Sequence, residues 1–343
     1  MTSELLGVGV VGTGWVSGEH ARAFRGNPHT EIRAVVSRER SRAEAWARKH
    51  GIENCRPCTS VAEMLRDDAI RIVSICTPHH LHAEQGIEAA EAGRHVLVEK
   101  PVALDLASLH ALAGAVSRAG VKSVVSFVLR WNPLFENIKA QLAQGLAGEL
   151  FYAEVDYLHA IGPDYAGHAW ITQKRYGGNA LLTAGCHAVD ALRWFVGAEA
   201  VEVSAYANRS RSNPMSFGYE PNSVTIVKFA NGAMGKVATS LESVGPYTFN
   251  IALYGDRGTI RNNQVFTRCW PGQKGWATVP TILPDTADVA HHPFAGEINH
   301  LVQCILEDRK SHCNLADAVK THEICLASEV SAVEGRPVRL PLK

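Results

Sequence analysis

The chain has 343 residues, 46% hydrophobic and 20% charged, which is long enough for two hydrophobic cores and too apolar for disorder. Its 34 Lys and Arg balance 34 Asp and Glu, so no net charge draws it to nucleic acid or to an anionic membrane. No apolar run approaches a membrane span and Met1-Thr2-Ser3-Glu4 carries no basic leader, so a cytoplasmic protein is expected.

Residues 1–130 alternate strand and helix patterns. An apolar strand is predicted at Leu6–Val11, broken by Gly12, with a helix starting near Gly18 that carries His20, Ala21 and Phe24. A second strand follows at Ile32–Val36, then an Ala- and Arg-rich helix over Ser41–Lys49 that ends at Gly51. Cys55-Arg56-Pro57-Cys58 has redox or zinc spacing, but no second pair completes a metal site, so two unrelated thiols in a connection are expected. A buried strand at Ile72–Cys76 closes on Thr77-Pro78. A helix over Leu81–Ala92 is capped by Gly93, and His95–Glu99 is a strand stopped by Lys100-Pro101. A helix over Leu106–Ala119 ends at Gly120, and Val124–Phe127 gives one more strand. From Leu150 onward strands dominate: Phe151–Leu158, Val201–Ala207, Val224–Phe229, Met234–Thr239 and Phe249–Tyr254. Turn signals such as Ala230-Asn231-Gly232 separate them. One helix lies among them at Cys186–Phe195, and helices return at Glu297–Leu306 and Leu315–Val333. The expected fold is an α/β Rossmann domain with a parallel, doubly wound sheet over 1–130. An α+β domain with a large, mostly antiparallel sheet follows over 131–343, and its last helices are candidates to pack back on the first domain.

Val10-Val11-Gly12-Thr13-Gly14-Trp15-Val16-Ser17 follows a strand and opens a helix, the context a dinucleotide fingerprint requires. Gly12 permits the tight turn, Gly14 lets backbone approach a pyrophosphate, and the helix N-terminus holds the charge. Ser17 stands in for the third glycine. NAD sites place an acid at the end of the second strand to hold the ribose; here Ser37 occupies that place and Arg38 could pair with a 2′-phosphate. Glu39 is the alternative ribose ligand. NADP is therefore favoured over NAD.

Gly12-x-Gly14 with His20, Thr77-Pro78 with His82, Glu99-Lys100-Pro101, and Gly177-Gly178 leading to Gly185-Cys186-His187-Ala188-Val189-Asp190 together resemble the glucose–fructose oxidoreductase/inositol dehydrogenase (Gfo/Idh/MocA) family. Arg130-Trp131-Asn132-Pro133 and Gly255-Asp256-Arg257-Gly258 are further echoes. The resemblance implies a Rossmann domain plus an open-faced sheet domain. It implies hydride transfer at a carbon of a sugar, cyclitol or similar polyol, and dimers or tetramers formed through the outer sheet face. It places Thr77, Pro78, His82, Glu99 and Lys100 at the cofactor beside Gly12, Gly14, Trp15 and Val16, and it makes Lys100 and His187 the catalytic lysine and histidine. Members often carry Asp four residues before that histidine; here Thr183 stands there, and it can hydrogen-bond substrate or His187 but cannot steady an imidazolium by charge.

Oxidising a secondary alcohol sends a hydride to nicotinamide and a proton to a base. His suits the base and Lys the developing oxyanion. Lys100 follows a buried strand and so emerges at the carboxyl edge, where open α/β sheets bind ligands. Asp190 shares a helix face with His187 and reads as an orienter. His79, His80 and His82 suggest a polar pocket wall rather than a metal site, and no metal is expected. Tyr157, His159 and Trp170 lie in a polar, aromatic stretch that suits either a sugar site or a plain solvated loop, and His291-His292-Pro293 forms a loop cluster of no assigned purpose. Two alternatives stand beside a dehydrogenase. One is a hydrolase or lyase that oxidises a sugar transiently with held NAD; the other is a non-enzymatic NAD(P) sensor, against which intact Lys100 and His187 argue.

Overall fold

The computed structural model describes residues 5–283 and 292–343; Met1–Glu4 and His291, on which two of the expectations above fall, lie outside the described residues. The chain forms two compact units, one of Met1–Val128 with Phe294–Val319 and one of Leu129–Pro293 with Lys320–Lys343.

The first unit is built on six strands: β1 (Leu6–Val11), β2 (Thr30–Val36), β3 (Arg56–Cys58), β4 (Ile70–Ile75), β5 (His95–Val98) and β6 (Ser123–Val125). They pair in the order β3-β2-β1-β4-β5-β6, all parallel. Their apolar runs are buried on both faces, as a parallel sheet covered by helices demands. Strand order reverses between β1 and β4, the switch point where such sheets open a crevice at their carboxyl ends. Helices α1 (Trp15–Gly26), α2 (Arg40–Lys49), α3 (Val61–Met64), α4 (His82–Glu91) and α5 (Leu106–Ala119) connect the strands. Helix α5 has the ends its sequence announces: the Asp105 carboxylate accepts from Ser108 N at 2.8 Å, and Gly120 ends it at φ 65°. Helix α1 begins at Trp15, three residues before the expected start, because extended Gly14 already serves as its N-cap. The Cys55–Cys58 connection holds β3, which its Arg-Pro sequence did not announce.

The second unit opens with α6 (Pro133–Ala143), a helix the strand pattern hid. Its start is written in Asn132, whose side chain accepts from Leu134 N at 2.9 Å, and in Pro133 at the first helical position. A nine-stranded sheet follows: β7 (Leu150–Leu158), β8 (Ala200–Asn208), β9 (Asn222–Phe229), β10 (Met234–Ser240), β11 (Thr248–Gly255), β12 (Gly258–Arg261), β13 (Gln264–Thr267), β14 (Ala277–Thr278) and β15 (Val338–Arg339). The order is β14-β13-β12-β11-β7-β10-β9-β8-β15, antiparallel except for the central β7–β10 pair. Short helices α7 (His168–Ile171) and α8 (Lys174–Gly177) precede a π-helical turn, Leu181–Gly185, that runs into α9 (Cys186–Val196). Helix α9 lies close on one sheet face. A Cβ on Gly235 of β10 would stand 2.6 Å from the Leu192 side chain, so any larger residue there must displace it. The other face leaves Phe151, Tyr206, Ile226 and Met234 exposed, Tyr206 at 82%.

Helices α10 (Phe294–Leu306) and α11 (Leu315–Glu334) close the chain, and α10 with the first turn of α11 belongs to the first unit. Asn27 donates to Asn299 at 2.7 Å, and the His20 and Phe294 rings lie 5.3 Å apart, which holds α10 on α1. Among the described residues, no helix is long and apolar enough to cross a membrane.

Candidate active site

In the first unit, β1 ends on Gly12, whose φ of 108° only glycine adopts freely. Its N–H donates to Val36 O at 2.9 Å, and a Cβ there would strike Cys76 O at 2.7 Å. A Cβ on Gly14 would meet nothing within 4 Å, and no side chain caps α1. Open space thus lies over uncapped N–H groups at the start of a three-turn helix, the cradle a pyrophosphate fits. Trp15 is half exposed at the mouth of that turn, with Val16 behind it. Ser17 does pack in place of the third glycine: its hydroxyl donates to Gly14 O at 2.6 Å and accepts from Trp46 Nε1 at 2.9 Å. Ser37 is buried after β2, with its hydroxyl 3.4 Å from that of Thr13. Arg38 is exposed and engages no hydrogen bond or ion pair among the described residues.

Two further turns sit on the same carboxyl edge. After β4, Thr77 donates to Gln85 Oε1 at 2.6 Å, and Pro78 leads into a short 3₁₀ turn. After β5, Lys100 precedes Pro101 through a cis peptide bond. His82 ties the two together, its ring nitrogens 2.7 Å from Pro101 O and 2.6 Å from Thr77 O. His82, expected at the cofactor, bridges the two turns of this edge. Burial lowers its pKa. His79 is buried beside it, the rings 5.9 Å apart, and His80 is exposed. Among the described residues, no three His, Cys, Asp or Glu side chains converge as metal ligands would. Cys55 and Cys58 are buried free thiols, and burial with Cys58 alongside pushes Cys55 up to about 12, far from a reactive thiolate.

Beneath Lys100 lies a buried polar network that the sequence did not announce. The Glu99 carboxylate accepts from Lys100 N at 3.1 Å and meets His20 Nε2 at 3.1 Å; His20 Nδ1 lies 2.8 Å from the Ser74 hydroxyl. Burial opposes the charge on His20, but Cys76 and Glu99 outweigh it and raise His20 well above an ordinary imidazole. Burial likewise opposes ionised Glu99, yet the hydrogen bond and charge of His20 hold it low. From α10, Glu297 enters fully buried, with one oxygen accepting from Ser126 at 3.1 Å and the other without a partner. Burial, with the Glu99 charge adding to it, pushes Glu297 up to about 8.

That shift has a sign. Between about 4.5, where an exposed glutamate ionises, and about 8, the folded protein holds a proton that the unfolded chain has released. Stability from this site is therefore greatest below that window and falls as pH rises through it. Glu297→Gln, neutral throughout, is expected to stabilise the protein at pH 8 by about 2–4 kcal/mol and to change it little at pH 5. Urea unfolding of both proteins at the two pH values measures it, and equal differences at both would refute it.

In the second unit, His187 is the second residue of α9 and is 6% exposed. Tyr157 of β7 stacks on it at 6.5 Å and 21°, and the His292 ring meets it edge-on at 6.4 Å. Tyr247, flagged by no motif, stands at right angles to Tyr157 with ring centres 5.3 Å apart; His159 packs 5.4 Å from Tyr247 and 6.2 Å from Tyr165. Burial lowers His159 and so keeps it neutral near pH 7.

Three other expected site residues lie in the same unit. Thr183 donates to Gly177 O at 2.8 Å and meets the Tyr219 hydroxyl at 3.0 Å, holding the Gly177-Gly178 corner. It sits in the π-helical turn, which winds more widely than an α-helix. Asp190 forms a bidentate ion pair with Arg130 at 2.6 and 2.7 Å, and Thr321 donates to it at 3.1 Å; both charged groups are almost wholly buried. Trp170 packs against an apolar cluster that includes Ile171, Phe217 and Tyr219.

Residues 6–127 match the GFO_IDH_MocA oxidoreductase family with its NAD-binding Rossmann fold, and residues 135–261 match a C-terminal domain of the same family. The chain is 27% identical over 342 residues to the scyllo-inositol 2-dehydrogenase (NAD(+)) of Bacillus subtilis (strain 168), covering 97% of this chain and 96% of that protein. A levoglucosan dehydrogenase in complex with NADH and levoglucosan shares the fold at a TM-score of 0.88 and 25% identity, covering 99% of this chain and 100% of that one. GenD2 from gentamicin A biosynthesis, in complex with NAD, matches at a TM-score of 0.83 and 27% identity, covering 100% of this chain and 98% of that one.

Proposed function

The chain belongs to the Gfo/Idh/MocA oxidoreductase family, and we propose that it moves a hydride between NAD(P) and a secondary alcohol or ketone of a sugar, cyclitol or related polyol. The observation that carries this is the sharing of one sheet edge by the Gly12–Gly14 cradle and the Glu99-Lys100-Pro101 turn. Relatives named for inositol and levoglucosan support the substrate class. Bound nicotinamide supplies a hydride acceptor or donor at its C4. In alcohol oxidation the Lys100 ammonium steadies the carbinol oxygen as charge develops on it, and the His187 imidazole takes the hydroxyl proton. Tyr157 orients the His187 ring by stacking. Thr183 and Asp190 act through structure, one holding the Gly177 corner and the other Arg130. Eight free cysteines suit a reducing, cytoplasmic compartment, and the exposed apolar face of the nine-stranded sheet suits a homodimer or homotetramer.

For the cofactor, buried Ser37 and exposed Arg38 favour NADP: Ser37 offers no carboxylate to repel a 2′-phosphate, and Arg38 offers a guanidinium that would pair with it. Absorbance of the reduced nicotinamide, followed with a panel of sugars and cyclitols and with each cofactor, tests both parts. Turnover of at least one polyol is expected, with NADP bound about tenfold tighter than NAD, or ~1.4 kcal/mol. Ser37→Asp is expected to reverse that order by repulsion. Tenfold tighter NAD binding to the wild type would refute the NADP assignment, and no turnover with either cofactor would refute the reaction.

A further inference from the structure

The proposed reaction leaves Glu297 unused, although α10 delivers it into the network beneath Lys100. Its side chain is fully buried, with Oε1 3.1 Å from the Ser126 hydroxyl and Oε2 without a hydrogen-bond partner among the described residues. An ionised carboxylate with one oxygen buried and unpaired is far costlier than a neutral acid, so the geometry favours the protonated form. Burial and the Glu99 charge push its pKa the same way, up to about 8.

Helix α10 packs on α1 and on β6. From α1 comes His20, while Glu19 and Arg22 of that helix pair with each other at 2.7 Å. Ser126 follows β6, and Lys122 ahead of that strand pairs with Asp308 at 2.6 Å. Along α10 itself, His300 lies 2.9 Å from the Ser311 hydroxyl. Glu99 and Lys100 follow β5, and Cys76 after β4 acts on His20. Among the described residues, the charged groups that act on Glu297 are His20 and Glu99. The network therefore holds one imidazolium and two carboxyl groups, and His20 balances only one of them.

Ser126 decides which. Its hydroxyl meets Glu297, and a hydrogen bond from it also helps to hold Glu99 ionised, yet it has one proton to give. While Glu297 is neutral, its own proton can go to Ser126 Oγ, which leaves the Ser126 proton for Glu99. Once Glu297 ionises, two carboxylates compete for that proton and for His20, so the two acids titrate as a coupled pair. The competition reaches Lys100, because one Glu99 oxygen meets His20 and the other accepts from Lys100 N at 3.1 Å.

We propose that Glu297, kept as the neutral acid, is a positioning residue for Lys100: acting through Ser126, it leaves Glu99 as the ionised carboxyl group that grips the Lys100 backbone. The proposal rests on the assignment of Lys100 to hydride-transfer chemistry. Proton loss from Glu297 sets Glu99 against a like charge, loosens the turn and displaces the Lys100 ammonium from the carbinol oxygen. Misplacement by about 1 Å slows a reaction by up to about 10²-fold.

The test is the pH profile of kcat for alcohol oxidation by the full chain, with the better-binding cofactor and the best polyol, and with circular dichroism confirming the fold at each pH. Wild-type kcat is expected to fall about tenfold between pH 7 and pH 9.5 with a midpoint near 8, while the cofactor KM changes less than about twofold. Glu297→Gln stays neutral and is expected to keep its own pH 7 kcat, within about twofold, up to pH 9.5. Amide exchange of the peptide spanning Lys100 reads the turn without turnover. Wild type and Glu297→Gln should exchange alike at pH 6.5; at pH 9 the wild type should exchange about threefold faster or more, beyond any change in helix α2. Ser126→Ala cuts the link and should exchange as fast at pH 6.5 as the wild type does at pH 9. A wild-type kcat level to pH 9.5, a fall that survives in Glu297→Gln, or equal exchange of the two proteins at pH 9 would each overturn the proposal. Exchange as expected with no turnover at any pH would instead sink the oxidoreductase assignment and leave the link from Glu297 to the turn standing.

Discussion

Lys100→Ala and His187→Ala are each expected to lower kcat by about 10²–10⁴-fold, with cofactor affinity nearly unchanged. Lys100 lies two residues beyond the end of β5, and its backbone N–H is held by the Glu99 carboxylate, so truncating the side chain leaves the turn in place. His187 is held by its place in the first turn of α9 and by the Tyr157 ring, so its truncation likewise removes chemistry rather than fold. If both groups act on one carbinol, the double variant loses little more than the worse single, because residues that work as a unit are not additive. Steady-state kinetics of the three variants, with cofactor binding measured separately, give the answer. A single variant that keeps near-wild-type turnover removes that residue from the chemistry.

Asp190→Ala is expected to destabilise the protein by about 3–5 kcal/mol, because it takes from the buried Arg130 guanidinium the carboxylate of its bidentate ion pair. That is a large share of the 5–15 kcal/mol that holds a typical folded domain. The folded fraction should retain its kcat, since both Asp190 oxygens serve Arg130 and Thr321. Replacing the pair together, as Arg130→Met with Asp190→Leu, should recover most of the loss, because breaking a buried pair costs far more than exchanging it for apolar contact. Urea unfolding and kinetics on the same samples separate the cases: a fall in kcat with stability intact would make Asp190 the orienter of His187 instead.

Much of the first unit was legible because its physics is local. Apolar runs such as Leu6–Val11 and Ile70–Ile75 need burial on both faces, and glycines mark the turns that no Cβ tolerates. The exposed outer face of the large sheet showed as alternation in β9. What escaped was nonlocal or short. Ser126 and Glu297 are 171 residues apart, and Arg130 and Asp190 are 60 apart; no periodicity connects them. Strands β12 to β14 hold two to four residues each, too few to show a period. The π-helical turn at Thr183 reads in sequence like any helix. Helix α6 is legible at its start, since Asn132-Pro133 is a cap followed by a favoured first residue.

The discontinuity of the first unit bears on the order in which the protein comes off the ribosome. Strands β1 to β6 are synthesised early, yet the helix that covers α1 and brings in Glu297 begins only at Phe294. At the usual elongation rate of about 5–20 residues per second, the early segment waits roughly 10–40 s for its missing piece. During that wait the α1 surface around His20 and Asn27 lacks its cover, which is the period when a holding chaperone would matter most. A circular permutant that moves residues 294–319 ahead of β1 would let the unit close as soon as β6 emerges.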